Sequence, residues 1–273
     1  MRTPFDKIYV ISLITNKSRQ EFITEQMNEL GIDFEFVYGI DFINLRKDSM
    51  GDEIPLPYLF GRLFKFLDIN QTNAGYYGCT MTHYRAVLQA YEFGYKNVLI
   101  IEDDICMLKD KETIEKYLNA IPEDADYVTW DPRYMYWGPD NSGYEFFPYN
   151  LKNCKSEYMN LGDNNWMCGT MMYALMNRNI MKKYLDNQRE GLYMCDHIQG
   201  IFRKPEVNRY TCVKCLGIDQ LNYQRNLPKT STYYNQCYIN NYGRTYPELT
   251  PSMFFEPKEY LLTNLNLVHL DEF

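Results

Sequence analysis

The chain is poor in histidine and tryptophan, with three of each among its 273 residues, and it has no uninterrupted run of 18 apolar residues. A transmembrane helix needs about 20 such residues, so the sequence predicts no transmembrane segment. Basic residues are also outnumbered, with 28 against 36 acidic ones and a formal net charge of -8. No local stripe of lysine and arginine offsets this charge, which argues against nucleic acid as a partner.

A signal-peptide pattern is lacking as well, because the start of the chain leads directly into a strand-like run at Lys7. We therefore expect the eight cysteines to be free thiols in a reducing compartment. Cys212 and Cys215 have the spacing of a zinc-binding pair, but no second pair lies nearby in the sequence. A single pair of this kind is weak evidence for zinc, so we interpret them as ordinary cysteines.

The residues that are present favour a folded protein, since 45% are hydrophobic and only 23% are charged. We assign residues 1–228 to one α/β domain. Residues 229–273, rich in Tyr, Asn and Pro and with little periodicity, are predicted to form an irregular flank packed on the same domain. The 26 tyrosines each combine an apolar face with a hydroxyl, a combination that suits sugar binding.

Strand and helix patterns alternate from the beginning of the chain. Lys7–Ile14 is almost wholly apolar, as in a buried parallel strand. Ser18–Glu21 has the capping-box pattern of a helix start, and Gly31 is placed to end that helix. Aromatic residues occupy every second position from 34 to 38, as on one face of a second strand. These segments predict a β-α-β unit and hence the α/β class.

Further elements follow the same logic. In chain order they are a helix from Thr80 that ends at Gly94, a strand at Asn97–Ile101, a helix at about 111–121, a strand at about 126–130, a strand at Thr170–Met176 and a helix capped by Asn177.

Three consecutive carboxylates, Glu102, Asp103 and Asp104, directly follow the strand at residues 97–101. In α/β sheets, ligands bind at the carboxyl ends of the strands. The alternation of a strand predicts Glu102 and Asp104 on one side and Asp103 on the other. Two carboxylates on one side suit Mn²⁺ or Mg²⁺, which take oxygen ligands and leave positions for phosphate. The alternative interpretation is a solvated turn without a ligand.

The segments around these carboxylates occur in a recognisable order. Gly78-Cys79 and Thr82-His83 precede a helix and then the apolar strand that ends in Glu-Asp-Asp. The opening of the chain adds the strand Tyr9–Leu13, then Arg19, then Phe36–Asp41. This order resembles glycosyltransferase family 25, which includes bacterial lipooligosaccharide galactosyltransferases and collagen galactosyltransferases. Thr82 stands where the family usually has Ser, and Ser12 stands where it usually has Asn.

The resemblance implies a GT-A-type Rossmann-like sheet flanked by helices and the transfer of a hexose, foremost galactose, with inversion. It implies a nucleotide-sugar donor, UDP-galactose or UDP-glucose, and a glycan acceptor. Asp104 would be the leading ligand of Mn²⁺ or Mg²⁺, with Glu102 as the second. The donor-binding residues would be Ser12, Leu13, Arg19, Asp41, His83, Glu102 and Asp103. If such an enzyme builds surface glycans, we expect it in the cytoplasm or bound peripherally at the inner membrane face.

Inverting transfer needs a base beside the acceptor hydroxyl. Asp196 is the first candidate because it follows a Met-Cys run and begins a polar turn, and Asp131 and Asp163 are alternatives. His83 has an imidazole that titrates near neutral pH. Its position at the start of a helix nevertheless favours a structural or donor-orienting role.

Two other classes of function remain open from the sequence. A nucleotidyltransferase is also α/β and metal-dependent, but the loop after the first strand here has Lys17 and Arg19 and no glycine-rich phosphate loop. A non-catalytic carbohydrate-binding protein fits the tyrosine-rich flank. Such a protein would ignore UDP and Mn²⁺, whereas a transferase would bind both.

Overall fold

The computed structural model describes residues 1–39, 71–107, 110–130, 133–137, 142–146, 155–161, 166–167, 170–190, 202, 206–213 and 216–219. Its helices are α1 (Lys17–Leu30), α2 (Gln71–Glu92), α3 (Lys111–Asn119) and α4 (Arg178–Glu190). Its strands are β1 (Lys7–Leu13), β2 (Glu35–Gly39), β3 (Val98–Glu102), β4 (Ile105–Met107), β5 (Tyr127–Thr129), β6 (Arg133–Trp137), β7 (Ser142–Phe146), β8 (Tyr158–Asn160), β9 (Trp166–Met167), β10 (Met172–Leu175), β11 (Arg209–Cys212) and β12 (Gly217–Asp219).

Seven of these strands form one mixed sheet, in the order β2-β1-β3-β10-β5-β11-β8. β1 runs parallel to both β2 and β3, and β11 runs parallel to β5. β10 is antiparallel to β3 and to β5. Two small sheets accompany it, one of β12 with β4 and one of β7, β6 and β9. The predicted α/β class, a Rossmann-like sheet flanked by helices, is confirmed.

The two faces of the sheet bury alternate residues of the same strands. Along β3, Leu99 and Ile101 enter one core cluster, while Val98 and Ile100 enter the other. The first cluster includes apolar residues of α1 and α3, and the second includes residues of α2 and α4. A strand covered on both faces must be apolar throughout, which is why β1 and β3 read as continuous hydrophobic runs.

The ends of the helices agree with the sequence in part. Gly31 closes α1 in the left-handed conformation (φ 65°, ψ 40°), as predicted. The Asn177 side chain accepts a hydrogen bond of 2.9 Å from the Ile180 amide, which confirms it as the cap of α4. The predicted capping box at Ser18 is wrong. The N-cap is Asn16, two residues earlier, because the carbonyl of Asn16 already accepts from the Gln20 amide at 3.0 Å.

The end of β2 touches α2 at a glycine. A Cβ atom on Gly39 would lie 2.6 Å from Thr82 Oγ1, far inside van der Waals contact. The Thr82 hydroxyl is itself fixed, since it donates a hydrogen bond of 2.6 Å to the carbonyl of Gly78. This contact needs glycine at residue 39, and it brings the end of β2 against the Gly78–His83 segment of α2.

No helix in the part of the chain that the structure describes is long and apolar enough to cross a membrane. The predicted C-terminal flank, residues 229–273, lies outside the described residues. The division into residues 1–228 and 229–273 therefore stays a prediction.

Candidate functional site

The carboxyl ends of β1 and β3 meet at one edge of the sheet. The two strands are parallel neighbours, and Ile11 of β1 pairs with Glu102 of β3. Ser12 and Leu13 therefore end β1 beside the point where the carboxylates begin. β10 runs the opposite way on the other side of β3, so it starts at this edge and brings Thr170 to it. This convergence follows from the parallel pairing and is where ligands bind in α/β sheets.

Asp103 is held on both carboxylate oxygens. Ser12 Oγ donates a hydrogen bond of 2.6 Å to Oδ2, and Arg19 Nη1 donates one of 3.0 Å to Oδ1. Asp103 is only 5% exposed, and Ser12 is also buried. Charge-assisted bonds of this kind offset part of the cost of burying a carboxylate. Asp103 therefore acts as a fixed link between β1, α1 and the end of β3.

Arg19 also reaches the next carboxylate, since its Nη1 lies 3.3 Å from Asp104 Oδ2. Asp104 is the more open of the two, with 21% of its side chain exposed against 7% for Asp103. The end of β1 is held from the same helix, because Gln20 Nε2 donates to the carbonyl of Leu13 at 2.7 Å. One turn of α1 thus connects the strand end to both aspartates.

The strict alternation predicted for the three carboxylates is wrong. β3 ends at Glu102, and residues 103 and 104 form a turn. Because the backbone leaves the strand there, Asp103 and Asp104 both approach the same guanidinium nitrogen of Arg19. Glu102 makes different contacts, to His83 and Thr170.

The electrostatics of this group follow from its burial. Burial raises the pKa of the Asp103 carboxyl above its usual value, and the nearby Arg19 and the hydrogen bond from Ser12 oppose that shift. Burial alone would lower the pKa of Arg19, but the attraction of Asp104 and Asp103 outweighs it and the pKa is raised. Arg19 therefore stays charged, as a cation bound to two acidic neighbours.

Glu102 and His83 form a second group beside the first. Thr170 Oγ1 donates a hydrogen bond of 2.6 Å to Glu102 Oε1, and His83 Nε2 lies 3.2 Å from the same oxygen. The other ring nitrogen of His83, Nδ1, lies 3.1 Å from the hydroxyl of Tyr173. His83 is fully buried and engaged on both nitrogens. This supports a structural or donor-orienting role rather than that of a base facing an acceptor.

Cys79 lies one turn before His83 on α2 and joins this group. The ligand atoms of Cys79, His83 and Glu102 all lie within 4.8 Å of one another. Cys79 belongs to the Gly78-Cys79 motif, which predicts no chemical role for it, and no sequence pattern indicates Thr170 or Tyr173. The four-residue spacing of Cys79 and His83 was a usable signal, since residues at that spacing share a helix face. Thr170 and Tyr173 are distant in sequence from these residues, and no comparable signal marks their contact with the site.

The structure thus connects most of the residues predicted to bind the donor. Ser12, Leu13, Arg19, His83 and Glu102–Asp104 lie at the same edge of the sheet. Another donor-site residue, Asp41, and the three candidate bases lie outside the described residues. Those bases are Asp131, Asp163 and Asp196.

The fold and this edge define a Rossmann-like α/β protein with a charged site at the ends of its central parallel strands. The sequence profile of glycosyltransferase family 25 (LPS biosynthesis protein) matches residues 5–198, and the chain belongs to this family. The matched range contains every described residue of the site. No curated protein matches the chain in sequence.

Solved structures resemble the chain only distantly. A glycosyltransferase involved in glycosylation of the major capsid of PBCV-1 has 10% identity and a TM-score of 0.41, over 78% of this chain and 94% of that one. A197 from STIV has 13% identity and a TM-score of 0.34, over 77% and 81%. Mouse xyloside xylosyltransferase 1 has 8% identity and a TM-score of 0.32, over 86% and 79%. Likenesses at these scores carry no argument about the site.

Proposed function

We propose that this protein transfers a hexose, foremost galactose, from a UDP-sugar to a glycan acceptor with inversion, and that it uses Mn²⁺ or Mg²⁺. The observation that carries the proposal is the convergence of Arg19, Asp103 and Asp104 at the carboxyl ends of β1 and β3, within the range matched by the family. The charged cluster lies at the edge where α/β sheets bind nucleotides.

The donor would bind along the edge formed by β1 and β3. Ser12 and Leu13 end β1 there, and the hydrogen bond from Gln20 to the Leu13 carbonyl keeps that strand end in place. Arg19 supplies positive charge in a chain whose net charge is -8. A diphosphate would compete with Asp103 and Asp104 for its guanidinium, since Arg matches phosphate geometry well. Asp41 is the proposed contact to the base or ribose.

The side chains at this edge fit a hard divalent cation. Of the two predicted ligands, the contacts favour Asp104, because it is the more open aspartate and lies in the turn that follows β3. The Oε1 atom of Glu102 already receives a hydrogen bond from Thr170 and lies against His83, so Glu102 is the second candidate. Carboxylate oxygens are the ligands that Mn²⁺ and Mg²⁺ prefer. A bound ion would supply charge neutralisation to the departing diphosphate.

The acceptor side of the reaction needs a base. We keep Asp196 as the first candidate, with Asp131 and Asp163 as alternatives. The burial of His83 and its contacts to Glu102 and Tyr173 argue against His83 in that role. An enzyme of this type that builds surface glycans would act in the cytoplasm, peripheral at the inner membrane face.

A direct test is UDP release from UDP-galactose and UDP-glucose, measured with Mn²⁺, with Mg²⁺ and after chelation, with and without glycan acceptors. We expect release that depends on the metal and rises with a suitable acceptor. NMR of the product should show the anomeric configuration opposite to that of the donor. Absence of release from every common nucleotide sugar, with UDP binding unchanged by chelation, would overturn the proposal.

The same preparation separates the two alternatives. A nucleotidyltransferase would release pyrophosphate from a nucleoside triphosphate and a sugar phosphate. A carbohydrate-binding protein would bind glycans in calorimetry and give no heat with UDP and Mn²⁺. Either result would replace the transferase assignment.

A further inference from the structure

We propose that Cys79, His83 and Glu102 form a second metal site, suited to zinc, beside the hard-cation site led by Asp104. Glu102, the second candidate ligand of the hard cation, is here assigned to zinc. The proposal rests on the contacts of these three side chains and not on the proposed function.

The geometry brings three different ligand types together. Cys79 and His83 are four residues apart on α2, so their side chains leave the same face of the helix one turn apart. Glu102 approaches from the end of β3, and the three ligand atoms lie within 4.8 Å of one another. Zn–S, Zn–N and Zn–O bonds are about 2.3, 2.1 and 2.0 Å, so the ligand atoms of one tetrahedral ion lie roughly 3.3–3.6 Å apart. Small side-chain rotations would complete that geometry.

The partners of these ligands match those of known metal sites. A histidine that binds zinc through one ring nitrogen nearly always has a hydrogen-bond partner on the other, and a ligating carboxylate is itself hydrogen-bonded. Here Nδ1 of His83 faces the Tyr173 hydroxyl at 3.1 Å, and Glu102 accepts from Thr170 at 2.6 Å. Both ligands are therefore already oriented by neighbours that a metal would not displace.

The donor set selects the kind of metal. A thiolate with an imidazole and a carboxylate suits zinc, whereas Mn²⁺ and Mg²⁺ prefer oxygen ligands alone. On binding, the ion would take the place of the proton between His83 Nε2 and Glu102 Oε1. The imidazole would stay neutral with its proton on Nδ1, facing the Tyr173 hydroxyl, and the Cys79 thiol would release its proton to solvent. Such an ion would join α2 to the end of β3 and fix Glu102 beside the donor edge.

Titration of the metal-free full-length protein with Co²⁺, a spectroscopic substitute for zinc, tests the site. We expect about one equivalent to bind and to produce a thiolate-to-cobalt charge-transfer band that one equivalent of Zn²⁺ abolishes. Cys79→Ser should remove the band and weaken Co²⁺ binding by at least about tenfold. Tyr173→Phe should keep the band and weaken binding by about tenfold, as loss of a partner to a ligand does.

The controls are Cys212→Ser, Cys215→Ser and Asp104→Asn, each of which should keep the band. Thermal unfolding of every variant shows whether it is folded, and Zn²⁺ should raise the midpoint of the wild type but not of Cys79→Ser. A band that survives Cys79→Ser would overturn the proposal. A band lost with Cys212→Ser or Cys215→Ser would also overturn it and would place the metal at that pair. Absence of stoichiometric binding by the folded wild type would also overturn it. None of these results would contradict the proposed hard-cation site at Asp104.

Discussion

Ser12 and Asp103 lie 91 residues apart in the chain and share a buried hydrogen bond of 2.6 Å from Ser12 Oγ to Asp103 Oδ2. Arg19 binds the other oxygen of Asp103, so Asp103 links β1, α1 and the end of β3. Asp104 lies next to it in the turn, is more exposed and lies 3.3 Å from the same nitrogen of Arg19. The two adjacent aspartates therefore differ in burial, and we expect Asp103 to contribute to the fold and Asp104 to the proposed metal binding.

Replacing each aspartate should separate these roles. We expect Asp104→Asn to abolish metal-dependent turnover and leave the free energy of unfolding nearly unchanged. Asp103→Asn should destabilise the protein by about 1.5–3 kcal/mol, because it weakens charged hydrogen bonds at a buried position. UDP release with Mn²⁺ and urea denaturation of both variants measure the two effects. If Asp104→Asn unfolds while Asp103→Asn stays stable, the assignment of the two roles is reversed.

Arg19 should contribute to stability through its charge. Arg19→Met keeps the length of the side chain but leaves Asp103 without its counter-ion in a site that is 7% exposed. We expect the free energy of unfolding to fall by about 3 kcal/mol. This value is at the low end for breaking a buried ion pair, because Arg19 retains some solvent contact. Arg19→Lys should lose less, since it keeps the charge but not the planar geometry. Urea denaturation measures both.

The matched control for Arg19 is Lys183→Met, which removes an exposed ion pair of 3.2 Å with Glu206. Surface pairs contribute about 0–1 kcal/mol, so this variant should be nearly as stable as the wild type. Equal losses for Arg19→Met and Lys183→Met would show that the Arg19 contacts do not stabilise the fold.

The central strands and most of the helices α1 to α4 were predictable because their signals are local, but α2 begins at Gln71 and not at the predicted Thr80, so His83 lies within the helix and not at its start. Continuous apolar runs marked β1 and β3, and helical spacing with a terminal glycine marked the ends of α1 and α2. The edge of the sheet that holds the site followed from the parallel pairing alone. A sequence carries this information in segments of about ten residues.

The contacts inside the site were not predictable in the same way. The chain leaves β3 at Glu102, so the alternation of side-chain direction that was expected to continue to Asp104 stops there. The bond from Thr170 to Glu102 joins residues 68 positions apart, and the contact of His83 with Tyr173 joins residues 90 apart. Pairings of this kind are set by which strands become neighbours, and β10 enters the sheet beside β3 in a way that no local pattern reveals.

Tyr9 should make stability fall at alkaline pH. Burial, with smaller effects of Glu35 and Tyr95, raises the pKa of this fully buried phenol to about 12 from 10.0. Between these two values the unfolded chain loses the proton while the folded one keeps it, so the free energy of unfolding decreases as the pH rises. In Tyr9→Phe, the free energy of unfolding should decrease less over this pH range. Urea denaturation of both proteins near neutrality and at a pH of about 11 measures it, and identical pH dependence would contradict the shift.

The contact between Gly39 and Thr82 offers a test of how β2 meets α2. A Cβ on residue 39 would lie 2.6 Å from Thr82 Oγ1 and 3.3 Å from Leu13 Cδ2. We expect Gly39→Ala to destabilise the protein by about 1–3 kcal/mol, as overpacking does. In a Thr82→Ala background, which lacks that hydroxyl, Gly39→Ala should lower the free energy of unfolding by clearly less.

Thr82→Ser is the control for this cycle, because serine keeps the hydroxyl and so keeps the clash. Gly39→Ala should therefore cost nearly as much in the Thr82→Ser background as in the wild type, and clearly more than in the Thr82→Ala background. A double-mutant cycle from urea denaturation gives the coupling energy directly. A coupling near zero between Gly39→Ala and Thr82→Ala would mean that β2 and α2 separate freely at this point. The end of β2 would then not be positioned by α2.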